Sequence, residues 1–97
     1  MIYLIKAYSD FGPLLKIGYS RDLSRRMNEY LTSTPRFKLL DVRFGTEEFE
    51  GKFHKYFSRY RFPQGNEWFY YNELIIKEFK TIRDSDLLSK KSVVSKL

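Results

Sequence analysis

Cysteine is absent from this chain of 97 residues, and histidine occurs once, at His54. Without cysteine, the chain can form neither a disulfide framework nor a thiolate metal site. Since a single imidazole is available, any metal ion must be held mainly by oxygen ligands, which favours a hard cation such as Mg²⁺ or Mn²⁺. The five glycines are scattered and make no glycine-rich phosphate loop. Thiol catalysis, zinc fingers and P-loop chemistry are therefore excluded.

Long apolar runs are also missing from the sequence. No stretch approaches the ~20 apolar residues that a membrane span requires. The first residues lack the basic start and the apolar centre of a signal peptide. We therefore expect an intracellular, cytoplasmic protein that makes no contact with a membrane.

Aromatic and basic side chains are abundant instead. Apolar residues make up 42% of the chain and aromatic residues 19%, which suffices for one core and argues against disorder. Lysine and arginine number 18 against 12 acidic residues, a formal net charge of +6. A basic small domain favours a polyanionic partner such as nucleic acid. Three of the lysines lie in the segment 85–97, which we predict to be a polar, mobile tail after a single domain spanning 1–84.

The order of predicted elements is ββαβα, followed by a short extended piece and a C-terminal helix. Strands are predicted over 2–8 and 14–19, joined by a turn of about five residues, and over 37–44. Helices are predicted over about 23–31, from 46 to about 60, and over about 72–82, with Thr46 as the N-cap of the second. The piece at 68–71 is expected to anchor onto the core. Three strands covered by helices indicate an α+β fold.

Glu50 lies at the edge of the apolar stripe on the second predicted helix. The stripe comprises Phe49, Phe53, Tyr56, Phe57 and Tyr60. A carboxylate at the rim of a core is partly desolvated, and such groups often bind a cation or titrate abnormally. The alternative is a boundary glutamate paired with a nearby lysine or arginine.

Arg26 and Tyr30 are four residues apart on the first predicted helix, so they lie one above the other. The apolar side chains of this helix are Leu23, Met27, Tyr30 and Leu31. A guanidinium fork matches phosphate oxygens, and a tyrosine hydroxyl can supplement it. The alternative is an ordinary surface pair. Arg21 and Arg25 are either solvated or contact a phosphate backbone.

Tyr3 and Lys16 lie near the open end of the predicted hairpin and are expected to be able to pair across its strands. Taken together, these residues resemble the GIY-YIG nuclease superfamily. The resemblance is carried by Ile2-Tyr3-Leu4, Lys16-Ile17-Gly18, Arg26 with Tyr30, and Glu50-x-x-Phe53-His54. With Glu67-Trp68-Phe69 downstream, the pattern is similar to a branch common in phage and viral genomes.

The resemblance implies a small metal-dependent DNA endonuclease, a phosphodiester hydrolase with a three-stranded antiparallel sheet flanked by helices. It implies catalytic roles for Tyr3, Lys16, Arg26, Tyr30 and Glu50. Of these, Glu50 would hold one divalent cation, Mg²⁺ or Mn²⁺. Asn66 is similar to a late asparagine of the family and is a candidate for DNA contact, although Asn72 competes for that match. Met1 and Lys16 depart from the pattern, standing where the family has glycine and tyrosine.

The hypothesis assigns each side chain a task in hydrolysis. Tyr3 would take a proton from water with the help of Lys16, while Arg26 and Tyr30 would bind the scissile phosphate. His54 is either a packing and hydrogen-bonding residue or an additional partner of the metal. One site per chain fits a monomer or a weak homodimer. Two alternatives stay open: a non-catalytic nucleic-acid-binding module of the same fold, and a structural or protein-interaction domain.

Overall fold

A computed structural model describes residues 1–33, 36–65 and 67–89. Their core is a four-stranded antiparallel sheet of order β3-β1-β2-β4. The strands are β1 (Ile2–Ser9), β2 (Gly12–Tyr19), β3 (Phe37–Arg43) and β4 (Trp68–Tyr70). The expected α+β fold with an antiparallel sheet flanked by helices is confirmed. The sheet has four strands rather than three, because Trp68–Tyr70 pairs with β2 instead of only anchoring onto the core.

The turn between β1 and β2 is tighter than the sequence predicts. Ser9 pairs directly with Gly12, which leaves two residues in the turn rather than about five. Gly12 has a positive φ of 92°, a conformation that glycine adopts without strain. The Ser9 hydroxyl accepts a hydrogen bond from the Phe11 amide at 3.1 Å and donates one to the Gly12 carbonyl at 2.9 Å.

Helices flank the sheet, and side chains cap the first three of them. The helices are α1 (Leu23–Ser33), α2 (Glu47–Tyr56), α3 (Glu73–Thr81) and α4 (Asp84–Ser89), with a 3₁₀ turn at Ser58–Tyr60. The capping side chains accept hydrogen bonds from first-turn amides at 2.8–3.3 Å; they are those of Asp22, Thr46 and Asn72. Helix α4 covers the start of the segment predicted to be a mobile tail, and its Leu87 side chain is buried. The rest of that segment, 90–97, lies outside the described residues.

The two faces of the sheet carry different side chains. Tyr3 and Ile5 pack against α1 on one face, here called the front face, and Lys16 lies opposite Ile5 on that face. Leu4 and Ile17 lie on the opposite face, here called the back face, where α2, α3 and α4 cover the larger core cluster. The alternation of side chains along a strand therefore separates a small polar-aromatic side from the main core.

Two apolar residues near the ends of predicted elements are exposed. Leu31 is 61% exposed because it lies at the margin of the arc that Leu23, Met27 and Tyr30 present to the sheet. Phe44 is 86% exposed because β3 ends one residue earlier, at Arg43. In the part of the chain that the structure describes, no helix is long and apolar enough to cross a membrane.

Candidate active site

Tyr3 is fully buried at the centre of the front face. Its hydroxyl oxygen lies 2.9 Å from that of Tyr30 on α1, in a buried hydrogen bond. Opposite Tyr3 on β2 stands Gly18, and a Cβ atom at that position would lie 2.3 Å from the Tyr3 hydroxyl oxygen. The glycine therefore makes room for the phenol. Burial and the hydrogen bond shared with Tyr30 raise the pKa of Tyr3 above its ordinary value, so its hydroxyl is neutral.

Arg26 lies one turn before Tyr30 on α1 and interacts electrostatically with both tyrosine hydroxyls. Its Nε lies 3.0 Å from Oε1 of Glu29 in an ion pair, and its side chain remains 41% exposed. One side of the guanidinium group is thus directed to the tyrosine pair and another to a carboxylate. The exposed part leaves this cation available to an anionic ligand.

Lys16 lies between the tyrosine pair and Glu67, a glutamate at the edge of the sheet. Its Nζ lies 5.0 Å from the ring centroid of Tyr30, 5.4 Å from that of Trp68, and 3.8 Å from Oε2 of Glu67. Lys16 is not directly opposite Tyr3, as a cross-strand pair would be. It pairs with Ile5, so Lys16 and Tyr3 are diagonal neighbours on the front face.

The acidic group consists of Glu50, His54 and Glu67, each of which has a possible ligand atom within 4.8 Å of the others. Ile17 of β2 positions two of these residues. Its amide donates to the carbonyl of Glu67 at 3.3 Å, and its carbonyl lies 2.8 Å from Nε2 of His54. Strand β4 pairs with β2 only as far as Lys16. Beyond Lys16, the edge of β2 is not covered by β4, and His54 of α2 contacts it there through the Ile17 carbonyl.

The two carboxylates of this group repel each other. Burial, together with the nearby Glu67 carboxylate, raises the pKa of Glu50 from 4.5 to about 7. A bound cation would remove that repulsion and favour the ionised form of both groups. Two carboxylates and one imidazole form a donor set suited to Mn²⁺ or to a partly hydrated Mg²⁺. The residues present therefore fit the expected divalent cation.

Glu67 was not among the residues predicted to form the site. Its signal in the sequence is the Glu67-Trp68-Phe69 segment, which by itself indicates no chemical role. The imidazole of His54 contacts Phe69, with ring centroids 5.3 Å apart, and also belongs to the acidic group. Both alternatives stated for His54 are therefore compatible with its position.

The five predicted catalytic side chains form one continuous series of interactions. Tyr3, Tyr30 and Arg26 interact directly, Lys16 contacts Tyr30, and Glu50 interacts electrostatically with Lys16. Three separate segments of the chain contribute to this series: the hairpin, α1 and α2.

The residues predicted to contact DNA lie in different parts of the molecule. Arg21 and Arg25 line a shallow cavity of about 220 Å³ beside Arg26, together with Asp22 and Glu29. Asn66 lies outside the described residues. Asn72 takes part in the fold rather than the site, because its Oδ1 accepts the Leu74 amide at 2.8 Å and caps α3.

Comparison with known proteins yields one family match. The model of the T5orf172 domain matches residues 1–84. No curated protein and no solved structure matches the chain significantly.

Proposed function

The chain belongs to the T5orf172 domain family, and from this membership and the site described above we propose that it is a divalent-metal-dependent DNA endonuclease of the GIY-YIG type. The T5orf172 domain is associated with endonuclease-type phage proteins, which supports a nuclease-like module. The observation that carries the proposal is the convergence of Tyr3, Arg26 and Glu50 from three segments into one series of interactions.

Hydrolysis of a phosphodiester adds water to phosphorus and breaks the bond to the leaving oxygen. Negative charge accumulates on the phosphate oxygens in the transition state, so preorganised cations accelerate the reaction. Arg26 is assigned to the scissile phosphate because its guanidinium fork is partly exposed beside the Tyr30 hydroxyl. A phosphate in this position would compete with Glu29 for the guanidinium group.

Glu50 is assigned as a metal ligand, with Glu67 and His54 as neighbouring donors. A divalent cation bound there supplies charge neutralisation at the phosphate and stabilises the leaving oxygen. The protein holds the donors in place through Ile17, which binds the backbone of Glu67 and the ring of His54. A cation held by the acidic group would place positive charge at that end of the series, and Arg26 places it at the other end.

Tyr3 is assigned to the proton transfer from the attacking water. Because its pKa is raised, the phenol cannot hold a free negative charge in the resting site. Its hydroxyl can accept the proton of water only while passing its own proton onward, and the hydrogen bond to Tyr30 supplies the next position. Lys16 lies beside the Tyr30 ring, and its positive charge favours the anionic form of Tyr3.

Supercoiled plasmid distinguishes this function from a non-catalytic DNA-binding module. We expect nicked plasmid to accumulate with Mg²⁺ or Mn²⁺ and to be absent with EDTA. Nicking is expected before linearisation, because one chain carries one site. DNA binding that weakens with salt, without any cleavage in either metal, would instead support the binding module.

A further inference from the structure

The back face of the sheet carries a basic groove at the end nearest the β1–β2 turn. The groove encloses about 340 Å³, and the residues that define it here are Lys6, Tyr8, Arg36, Lys38 and Tyr71. Lys6 alternates along β1 with Tyr3 and Ile5, so it points to the side of the sheet opposite the candidate active site. None of the residues assigned to catalysis therefore lines the groove.

Cations and aromatic rings are interleaved in the groove. The Nζ of Lys6 lies 4.7 Å from the ring centroid of Tyr71 and 5.2 Å from that of Tyr8. The guanidinium of Arg36 lies 5.6 Å from the Tyr8 centroid, and the Arg36 carbonyl accepts the Tyr8 amide at 3.3 Å. Tyr8 is nevertheless 53% exposed and Tyr71 36% exposed. Both rings keep accessible surface next to fixed positive charge.

The charges of the groove are unbalanced. None of its lining residues is acidic, and among residues 1–33, 36–65 and 67–89 no salt bridge involves Lys6, Arg36 or Lys38. Moreover, Lys6 and Lys38 stand directly opposite each other on β1 and β3. Like charges at directly opposed positions destabilise a sheet. The two lysines thus repel each other, and a carboxylate at either position would stabilise the sheet instead.

We infer that the groove is a second nucleic-acid site, which binds a single strand through its phosphates and through bases stacked on Tyr8 and Tyr71. Phosphates would satisfy the three unpaired cations, and exposed aromatic rings beside cations are the usual platform for unpaired bases. A duplex keeps its bases stacked and would leave both rings unused. The inference does not depend on the proposed cleavage, because the groove lies on the other face of the sheet.

Binding of a labelled oligothymidylate of about 15 nucleotides, followed by fluorescence anisotropy in EDTA, tests the inference. Tyr8→Ala is expected to weaken binding about 5-fold or more, since it removes one stacking platform. Lys38→Ala is expected to make the slope of log K against log salt shallower by about 0.7, the value for one lost phosphate contact on a single strand. Lys55→Ala, an exposed lysine change on α2, serves as the matched control and should alter neither quantity.

Lys38→Glu separates a binding role from a structural one. It places a carboxylate opposite Lys6, so the midpoint of thermal unfolding should rise by a few degrees while oligothymidylate binding falls at least 10-fold. Unchanged binding in Lys38→Glu and Tyr8→Ala would overturn the inference. So would displacement of the oligothymidylate by an unlabelled duplex of equal length as readily as by unlabelled oligothymidylate. Because no cleavage is measured, these results stay separate from the success or failure of the nuclease assay.

Discussion

The hydroxyl groups of Tyr3 and Tyr30 share a buried hydrogen bond of 2.9 Å, although the two residues come from β1 and α1. This contact joins the hairpin to the helix that carries Arg26. Burial, together with this contact, raises the pKa of Tyr3, the phenol assigned to proton transfer. In the proposed mechanism, activity depends on a group that is inaccessible in the resting protein, and its removal should affect catalysis more than folding.

Tyr3→Phe removes the hydroxyl and keeps the ring. We expect cleavage to slow at least about 100-fold, the range for loss of a group that transfers protons. The free energy of unfolding should fall by only about 1 kcal/mol, since one hydrogen bond is lost. Single-turnover cleavage and urea unfolding measure the two effects. Tyr70→Phe, at an exposed tyrosine, is the control, and equal losses of activity in both variants would contradict the role of Tyr3.

Gly18→Ala tests whether the space above β2 is needed for the phenol. The new Cβ would meet the Tyr3 hydroxyl at 2.3 Å, so the ring must shift and the fold should lose about 1–3 kcal/mol. The same change at Gly51 meets no atom within 4 Å and lies in α2, where alanine should stabilise by up to about 1 kcal/mol. Chemical unfolding of both variants measures the difference. Equal stabilities would contradict the packing described for Tyr3.

Arg26→Lys retains the positive charge and removes the planar fork. If Arg26 binds the scissile phosphate in the transition state, the cleavage rate at saturating DNA should fall about 100-fold with a smaller change in KM. Arg59→Lys makes the same change at an exposed arginine that is not assigned to the site, and it is the matched control. A change confined to KM would show that Arg26 contributes ground-state binding alone.

The pH dependence of metal binding follows from the raised pKa of Glu50. The metal-free fold favours the protonated form of Glu50. The contribution of this preference to the free energy of unfolding is present below pH 4.5 and is lost as the pH rises through about 7. A cation requires the ionised carboxylate, so the rise in melting temperature caused by Mn²⁺ should grow as the pH increases through about 7. Thermal scans from pH 5 to pH 9 would measure it. A shift that is constant across this range would contradict a metal site at Glu50.

Local patterns in the sequence were sufficient to predict most elements. Thr46 before two glutamates predicts the start of α2, and the spacing of Phe53 and Phe57 predicts its buried side. These signals act within one or two turns of a helix. The faces of the hairpin follow equally from alternation, which places Tyr3 and Lys16 on the same side of the sheet.

Contacts between distant segments could not be predicted in the same way. Trp68–Tyr70 is three residues long, and it becomes a strand only because Leu14–Lys16 offers a partner more than fifty positions earlier. The position of Glu67 beside Glu50 depends on that pairing and on the hydrogen bond that the Ile17 amide donates to the Glu67 carbonyl. The carboxylate pair therefore arises from tertiary structure, and no spacing within the sequence indicates it.

Single-turnover cleavage by Glu50→Gln tests the central claim most directly. The substitution keeps size and polarity, removes the charge that a cation needs, and should abolish cleavage in Mg²⁺ or Mn²⁺ while DNA affinity in EDTA stays within about 2-fold. Glu48→Gln, an exposed change on the same helix, should cleave at the wild-type rate. Cleavage by Glu50→Gln at the wild-type rate would contradict the account.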